Sequence, residues 1–185
     1  VIIGGGVMGA SILYNMASRG VRSSVLLERD MLGSGSTGRS SGAVRMHYST
    51  TVNAHLAWKS LSVFQNWDDV VGAGDPAFTQ TGYMILVPPE SVGGLKYNIG
   101  IQQALGIDTH IVSREEAHEL APAFALGEDE AFAWEPQSGH AAPSGTALAF
   151  ISKARELGAR IVLESPAVDV EITRGRVVAV KTATE

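Results

Sequence analysis

Three apolar residues run directly into a glycine turn at the start of the chain, VIIGGGVMGA, and that junction restricts the possible folds more than any other stretch. Gly4, Gly6 and Gly9 stand in G-x-G-x-x-G order. They lie between an expected strand, Val1 to Ile3, and an expected helix whose apolar positions Leu13, Met16 and Ala17 recur at helical spacing up to Gly20. SSVLLE, Ser23 to Glu28, reads as a second strand. Strand, turn, helix and strand make a βαβ unit, whose crossover is expected to be right-handed.

Each glycine has a separate physical task in such a turn. The first permits the tight bend, the second lets a pyrophosphate approach backbone where a Cβ would clash, and the third lets the helix pack close to the strand. The helix, read from Gly9, would then face phosphates at its N-terminus with unpaired N–H groups and partial positive charge. Glu28 follows Gly9 by 19 residues, 28 − 9, at the end of the second strand, where a carboxylate can accept from ribose hydroxyls. A glycine turn in some other parallel-sheet protein is the competing reading, and the complete βαβ context weighs against it. No Gly-Lys-Ser or Gly-Lys-Thr follows, which disfavours a nucleoside-triphosphatase loop, and Glu28 disfavours a 2′-phosphate. The acid does not separate FAD from NAD.

Charge and composition narrow the classes further. The 185 residues carry 14 Lys and Arg against 19 Asp and Glu, a net charge of −5, with no basic block suited to nucleic acid. There are 0 cysteines, which excludes disulfides, thiolate metal sites and a flavin attached through sulfur within this stretch. With 45% apolar residues and no run long enough to span a bilayer, the chain reads as a globular domain, expected in the cytoplasm. Both ends fall inside strand patterns, so the chain is expected to be a piece of a longer protein.

Beyond Glu28 comes a polar glycine and serine segment, LGSGSTGRSSGAVR. Val52, Leu56, Val63, Trp67 and Val70 then mark one face of an expected long helix ending near Gly72 to Gly74. TGYMILVPPE reads as a strand, Gly94 to Gly106 as a helix, and SREEAHELAP as a short helix with a capping box between Ser113 and Glu116. EAFAWEP is another expected strand. From Pro143 a helix places Leu148, Ile151, Ala154 and Leu157 on one side, and ARIVLES, VDVEI and RVVAVKT close the sequence as strands, the last two joined at Thr173 to Gly175.

GGGVMG, LLERD and STGRSSG together resemble the FAD-dependent oxidoreductases of the D-amino acid oxidase superfamily, and most of all its sarcosine oxidase beta subunit and dimethylglycine dehydrogenase branch. The resemblance continues through TGYMILVPPE and EPQSGHAAPSGTALAFISKARELGARI. It implies an α/β fold: a Rossmann-like FAD-binding domain of the glutathione reductase type, interrupted by part of a mixed-sheet substrate domain. The expected division is residues 1–75 for the first FAD-binding segment, 76–139 for part of the substrate domain and 140–185 for the second FAD-binding segment.

The same resemblance implies site residues. Gly4, Gly6, Val7, Met8 and Gly9 would hold the pyrophosphate, with Glu28 and Arg29 at the ribose. Ser36, Thr37, Arg39, Ser40, Ser41 and Gly42 would wrap the pyrophosphate and approach the flavin. Ala167 falls where relatives use a strand residue against adenine. Arg45 falls where relatives place a cation near the flavin ring to stabilise charge at N1, and its alternative is a helix-end arginine paired with an acid. His47 and Tyr48 lie just beyond. Tyr48 replaces the second arginine that holds a substrate carboxylate in monomeric sarcosine oxidases. Arg39 stands where dimethylglycine dehydrogenases carry the histidine bonded covalently to FAD, so non-covalent FAD is expected. His140 receives no role, and no metal site is expected.

The activity implied is oxidation of the C–N bond of a secondary or tertiary amine or amino acid by hydride transfer to flavin N5. The partners implied are a small-molecule amine or amino-acid substrate and either other subunits of an oxidase complex or a second copy in a homo-oligomer, with no nucleic acid and no membrane. A nicotinamide-dependent Rossmann dehydrogenase and a non-catalytic flavin-holding subunit are the alternatives.

Overall fold

The computed structural model describes residues 1–183 as a mixed α/β chain. By its internal contacts it divides into two compact units. One comprises residues 1–42, 67–77 and 142–185, and the other comprises 43–66 and 78–141. Residues 43–66, placed by the sequence reading with the first nucleotide-binding segment, pack instead with the inserted strands.

In the first unit, β1 (Ile2–Ile3) pairs in parallel with β2 (Val25–Leu27), and α1 (Val7–Ser18) makes the connection. The βαβ expectation holds, with a helix that begins two residues before Gly9 and a second strand shorter than Ser23 to Glu28. On the other side of β2, β8 (Arg160–Val162) adds a third parallel strand, giving the order β1-β2-β8. α6 (Pro143–Glu156) precedes β8 and packs on α1. Their interface holds Leu13, Tyr14 and Ala17 from α1 and Ala147, Phe150, Ile151 and Ala154 from α6. The Phe150 ring lies 5.3 Å from Tyr14 and 4.9 Å from Trp67 between centroids.

The expected face of α6 is rotated. Ile151 and Ala154 are buried, but Leu148 and Leu157 are exposed, and the small residues Ala147 and Ala149 take the inside. Close packing favours short side chains there, Ala149 lying against Gly74, which a search for large apolar residues overlooks. The closing strands β9 (Ala167–Thr173) and β10 (Arg176–Thr182) form an antiparallel hairpin. Arg174 and Gly175 both have positive φ in its turn, as a two-residue hairpin loop of this twist requires.

The segment expected to be one long helix is two: α2 (Thr51–Gln65) in the second unit and the single turn α3 (Trp67–Val70) in the first, with Asn66 ending α2 in a non-helical conformation. The proposed face holds only in part: Trp67 is buried and Val63 half-buried. Val52, Leu56 and Val70 are exposed, and α2 buries Ala54 and Leu61 around Met46 and Ile107. Strand β4 (Tyr83–Val87) and strand β5 (His110–Val112) flank β6 (Ala131–Glu135) in an antiparallel sheet of order β4-β6-β5. α4 (Val92–Ala104) covers this sheet through Leu95 and Ile99. α5 (Arg114–Leu120) carries the expected capping box, with Ser113 Oγ accepting from the Glu116 amide and Glu116 accepting from the Ser113 amide. Two short strands not expected from the sequence, β3 (Ala43–Val44) and β7 (Gly139–His140), pair antiparallel.

Candidate functional site

The glycine turn is shaped by contacts that side chains would break. Gly4 has φ +100°, a region closed to ordinary L residues. A Cβ on Gly9 would fall far inside van der Waals contact of the Gly4 carbonyl oxygen, so this glycine is what brings α1 against the end of β1. Gly6 is the N-cap of α1 and supplies no side-chain cap, and no acid lies in the first turn. That end of the helix therefore keeps its positive partial charge facing outward.

The Glu28 carboxylate is built into the same turn. Its Oε2 accepts from the Gly5 amide at 2.6 Å and its Oε1 from the Asp30 amide at 2.9 Å, which orients both oxygens while each retains a lone pair. A Cβ on Gly5 would lie 2.6 Å from a terminal methyl of Leu32 and 3.2 Å from Glu28 Oε2, so a side chain at this glycine, given no role by the fingerprint, would have to displace Leu32. Residues 29–42 fold back over α1 as a series of turns. The Val7 amide donates to Thr37 Oγ1 at 2.9 Å, and the Gly33 amide donates to the Gly5 carbonyl at 3.0 Å.

These elements enclose a cavity of about 760 Å³. Its lining includes Gly4, Gly6, Val7, Met8, Glu28, Arg29, Ser36, Thr37, Ser40 and Ala167 from the expected set. Gly9 is buried beneath it. Arg39, Ser41 and Gly42 do not line it. Ser34, Gly35, Ser165 and Pro166 line it without having been expected. The turn before β9, which carries Ser165 and Pro166, has no motif of its own and reaches the cavity because the Ser165 amide donates to the Glu28 carbonyl. The donor set fits a dinucleotide: exposed helix-terminal amides and hydroxyls for phosphate, an anchored carboxylate for ribose, and a cradle at Gly6 where a Cβ would already lie 3.0 Å from Thr37 Oγ1.

Arg45, His47 and Tyr48 belong to the second unit, and they form a cluster there. The Arg45 guanidinium lies 5.0 Å from the Tyr48 ring centre and 5.5 Å from that of Tyr83, and it donates to the His47 carbonyl oxygen. The His47 Nδ1 lies 3.1 Å from Gln102 Nε2 and 3.7 Å from Glu135 Oε1. Its Nε2 lies 3.4 Å from Asn98 Nδ2. Burial and the neighbouring Arg45 charge hold the imidazole below the ordinary histidine value, against the Gln102 contact.

Glu135 was not singled out from the sequence, although an acid closing the apolar run AFAWE was its signal. It is fully buried, and Oε2 accepts from the Met46 amide at 3.0 Å and the Ser138 hydroxyl at 2.8 Å. Burial pushes its carboxyl up from the ordinary value, while the Met46 amide, the Ser138 hydroxyl and the Arg45 charge act in the other direction. Tyr83, Asn98 and Gln102 also escape sequence reasoning, because nothing in the spacing of β4 and α4 indicates which residues meet a loop half a unit away.

No helix among the described residues is long and apolar enough to cross a membrane. The family described as DAO: FAD dependent oxidoreductase matches residues 1–185. Dimethylglycine dehydrogenase, mitochondrial, from Rattus norvegicus is 30% identical over 168 residues, covering 90% of this chain and 19% of its own length. Sarcosine oxidase subunit beta from Arthrobacter sp is 27% identical over 171 residues, 88% of this chain and 42% of the relative. Among solved structures, L-proline dehydrogenase from P. horikoshii superposes with a TM-score of 0.86 at 31% identity, over 98% of this chain and 48% of that one. The chain thus spans about a fifth of the first of these relatives and about half of the solved one. A match along the whole chain, joined to a glycine turn and anchored Glu28 suited to a dinucleotide, makes the chain a member of the FAD-dependent oxidoreductase (DAO) family.

Proposed function

We propose that this chain is the FAD-holding portion of an oxidoreductase acting on the C–N bond of a secondary or tertiary amine or amino acid, and that its FAD is held without a covalent bond. The observation that carries the reading is the convergence of the α1 N-terminus, Glu28 and the Ser36 to Ser40 turn on one cavity. The names of the relatives, dimethylglycine dehydrogenase and sarcosine oxidase subunit beta, supply the substrate class.

In this reading the backbone from Gly4 to Met8, with Ser36, Thr37 and Ser40, binds the pyrophosphate. Glu28 accepts from the ribose hydroxyls with the lone pairs left by Gly5 and Asp30. Arg29 and Ala167 border the nucleoside. Arg39, Ser41 and Gly42 remain candidates for the flavin end. When bound, FAD supplies the acceptor for a hydride from the carbon beside the amine nitrogen. Arg45 is the fixed cation of the site, held on the Tyr48 and Tyr83 faces, where it stabilises developing negative charge. His47 and Tyr48 complete its surroundings.

The test is the visible spectrum of the purified protein followed by acid precipitation. A flavin spectrum with chromophore released to the supernatant, and bleaching on addition of sarcosine, dimethylglycine or another amine of a panel, is the expected result. Colour retained in the pellet overturns non-covalent binding, and flavin that no amine reduces overturns the amine reading in favour of a flavin-holding subunit. Arg45→Ala is expected to slow flavin reduction more than it weakens FAD binding.

A further inference from the structure

We propose that Glu135 and His47 form one proton-holding pair beside Arg45, with Glu135 as the positioning residue for the Arg45 to Tyr48 segment. Glu135 is fully buried at the end of β6, and its Oε2 is occupied by the Met46 amide and the Ser138 hydroxyl. The sulfur of Met46, also fully buried, lies 3.7 Å from the same Ser138 oxygen. The backbone on the C-terminal side of Arg45 is thus fastened to Glu135, and on the other side Ala43 and Val44 are paired with His140 and Gly139.

The other oxygen, Oε1, has no hydrogen-bond partner of good geometry, and His47 faces the carboxylate both with its Nδ1, 3.7 Å from Oε1, and with its backbone amide. An acceptor left unpaired in a buried site costs free energy. A proton on the imidazole offsets part of that cost, by attraction to the ionised carboxyl across the 3.7 Å. The neutral imidazole has a different partner for Nδ1, the Gln102 amide at 3.1 Å. The charged groups set against His47 are Arg45 on its own segment and Glu135 on β6, and α4 presents the uncharged Asn98 and Gln102. With its proton the cluster of Arg45, His47 and Glu135 carries one net positive charge, and without it none. On the proposed reading of Arg45 as the site's fixed cation, the pair sets how much of that charge an anionic group meets, more at low pH and less at high pH.

Glutamine at position 135 keeps the shape and the acceptor for the Met46 amide while removing the charge, so it separates the electrostatic role from a merely structural one. Histidine 13Cε1 resonances of the flavin-loaded protein are titrated in the wild type, in His47→Gln for assignment, and in Glu135→Gln. The expected result is a His47 midpoint lower in Glu135→Gln by about half a pH unit or more, a threefold or greater loss of proton affinity. A smaller change overturns the pair. Should Glu135→Gln fail to fold, Ser138→Ala retains the charge and removes one donor that spreads it, so the His47 midpoint is expected to rise, and an unmoved midpoint overturns the proposal. The titration needs no substrate. A protein that oxidises amines without this shift loses the pair alone, and a coupled pair in a protein that oxidises no amine loses the functional reading alone.

Discussion

Two glycines of one motif separate folding from binding at the level of single atoms. Gly9 is closed by the Gly4 carbonyl oxygen, so Gly9→Ala must push α1 off β1, and such overpacking costs about 1–3 kcal/mol. Gly6 has φ −76° and meets only Thr37 Oγ1, at 3.0 Å, so an alanine there is tolerated by the backbone. Gly9→Ala is therefore expected to lower the melting temperature of the flavin-free protein, whereas Gly6→Ala should leave it nearly unchanged and weaken FAD binding, as flavin fluorescence on titration will show. In the second unit, Glu135→Ala leaves the Met46 amide and the Ser138 hydroxyl without their acceptor, at about 1–3 kcal/mol for each buried donor. Burial and Arg45 put the folded-state value of His47 below the ordinary 6.5. A depressed value contributes stability that is present above 6.5 and is lost as pH falls through the folded-state value. Denaturant melts through that acidic range are expected to show a smaller loss for His47→Gln than for the wild type.

Among the elements, the pairing of α1 with α6 holds the glycine turn in place. Phe150 is its centre, buried and touching the Tyr14 and Trp67 rings. Phe150→Ala is expected to cost about 3–5 kcal/mol in urea unfolding, since the aromatic contacts and the filled volume go together. The elements also show what periodicity can and cannot read. α1 was legible because its start is marked by glycines and its inner face by Leu13 and Ala17. α2 was misread because its buried positions, Ala54 and Leu61, are outnumbered by outward apolar residues such as Val52 and Leu56, and only the packing around Met46 shows which side is inside. β3 and β7 are two residues each, too short for any alternation to mark.

For the molecule as a whole, the two compact units make separate responses to ligand the natural expectation. A ligand that binds only the folded form stabilises it, by about 2.7 kcal/mol at a concentration one hundred times its dissociation constant. FAD is expected to slow amide hydrogen exchange most in the segments 4–9, 28–40 and 165–167, which carry the residues that line one cavity, as mass spectrometry will resolve. Equal slowing along β4, β5 and β6 with none at the glycine turn would contradict that assignment of the binding surface.

The sequence alone determined the βαβ start with its glycine turn, the capping box of α5 and the hairpin at the C-terminal end. Each is written in neighbouring residues, because glycine conformations, caps and short-range crossovers are local properties. Only the tertiary structure decided that Ser165 and Pro166 join Glu28 around the cavity and that Glu135 lies against His47. Those meetings join residues 137 and 88 positions apart, 165 − 28 and 135 − 47, through strand order and sheet pairing. A buried carboxylate has no local signature of its partner, since what makes it tolerable is a set of donors delivered by other elements.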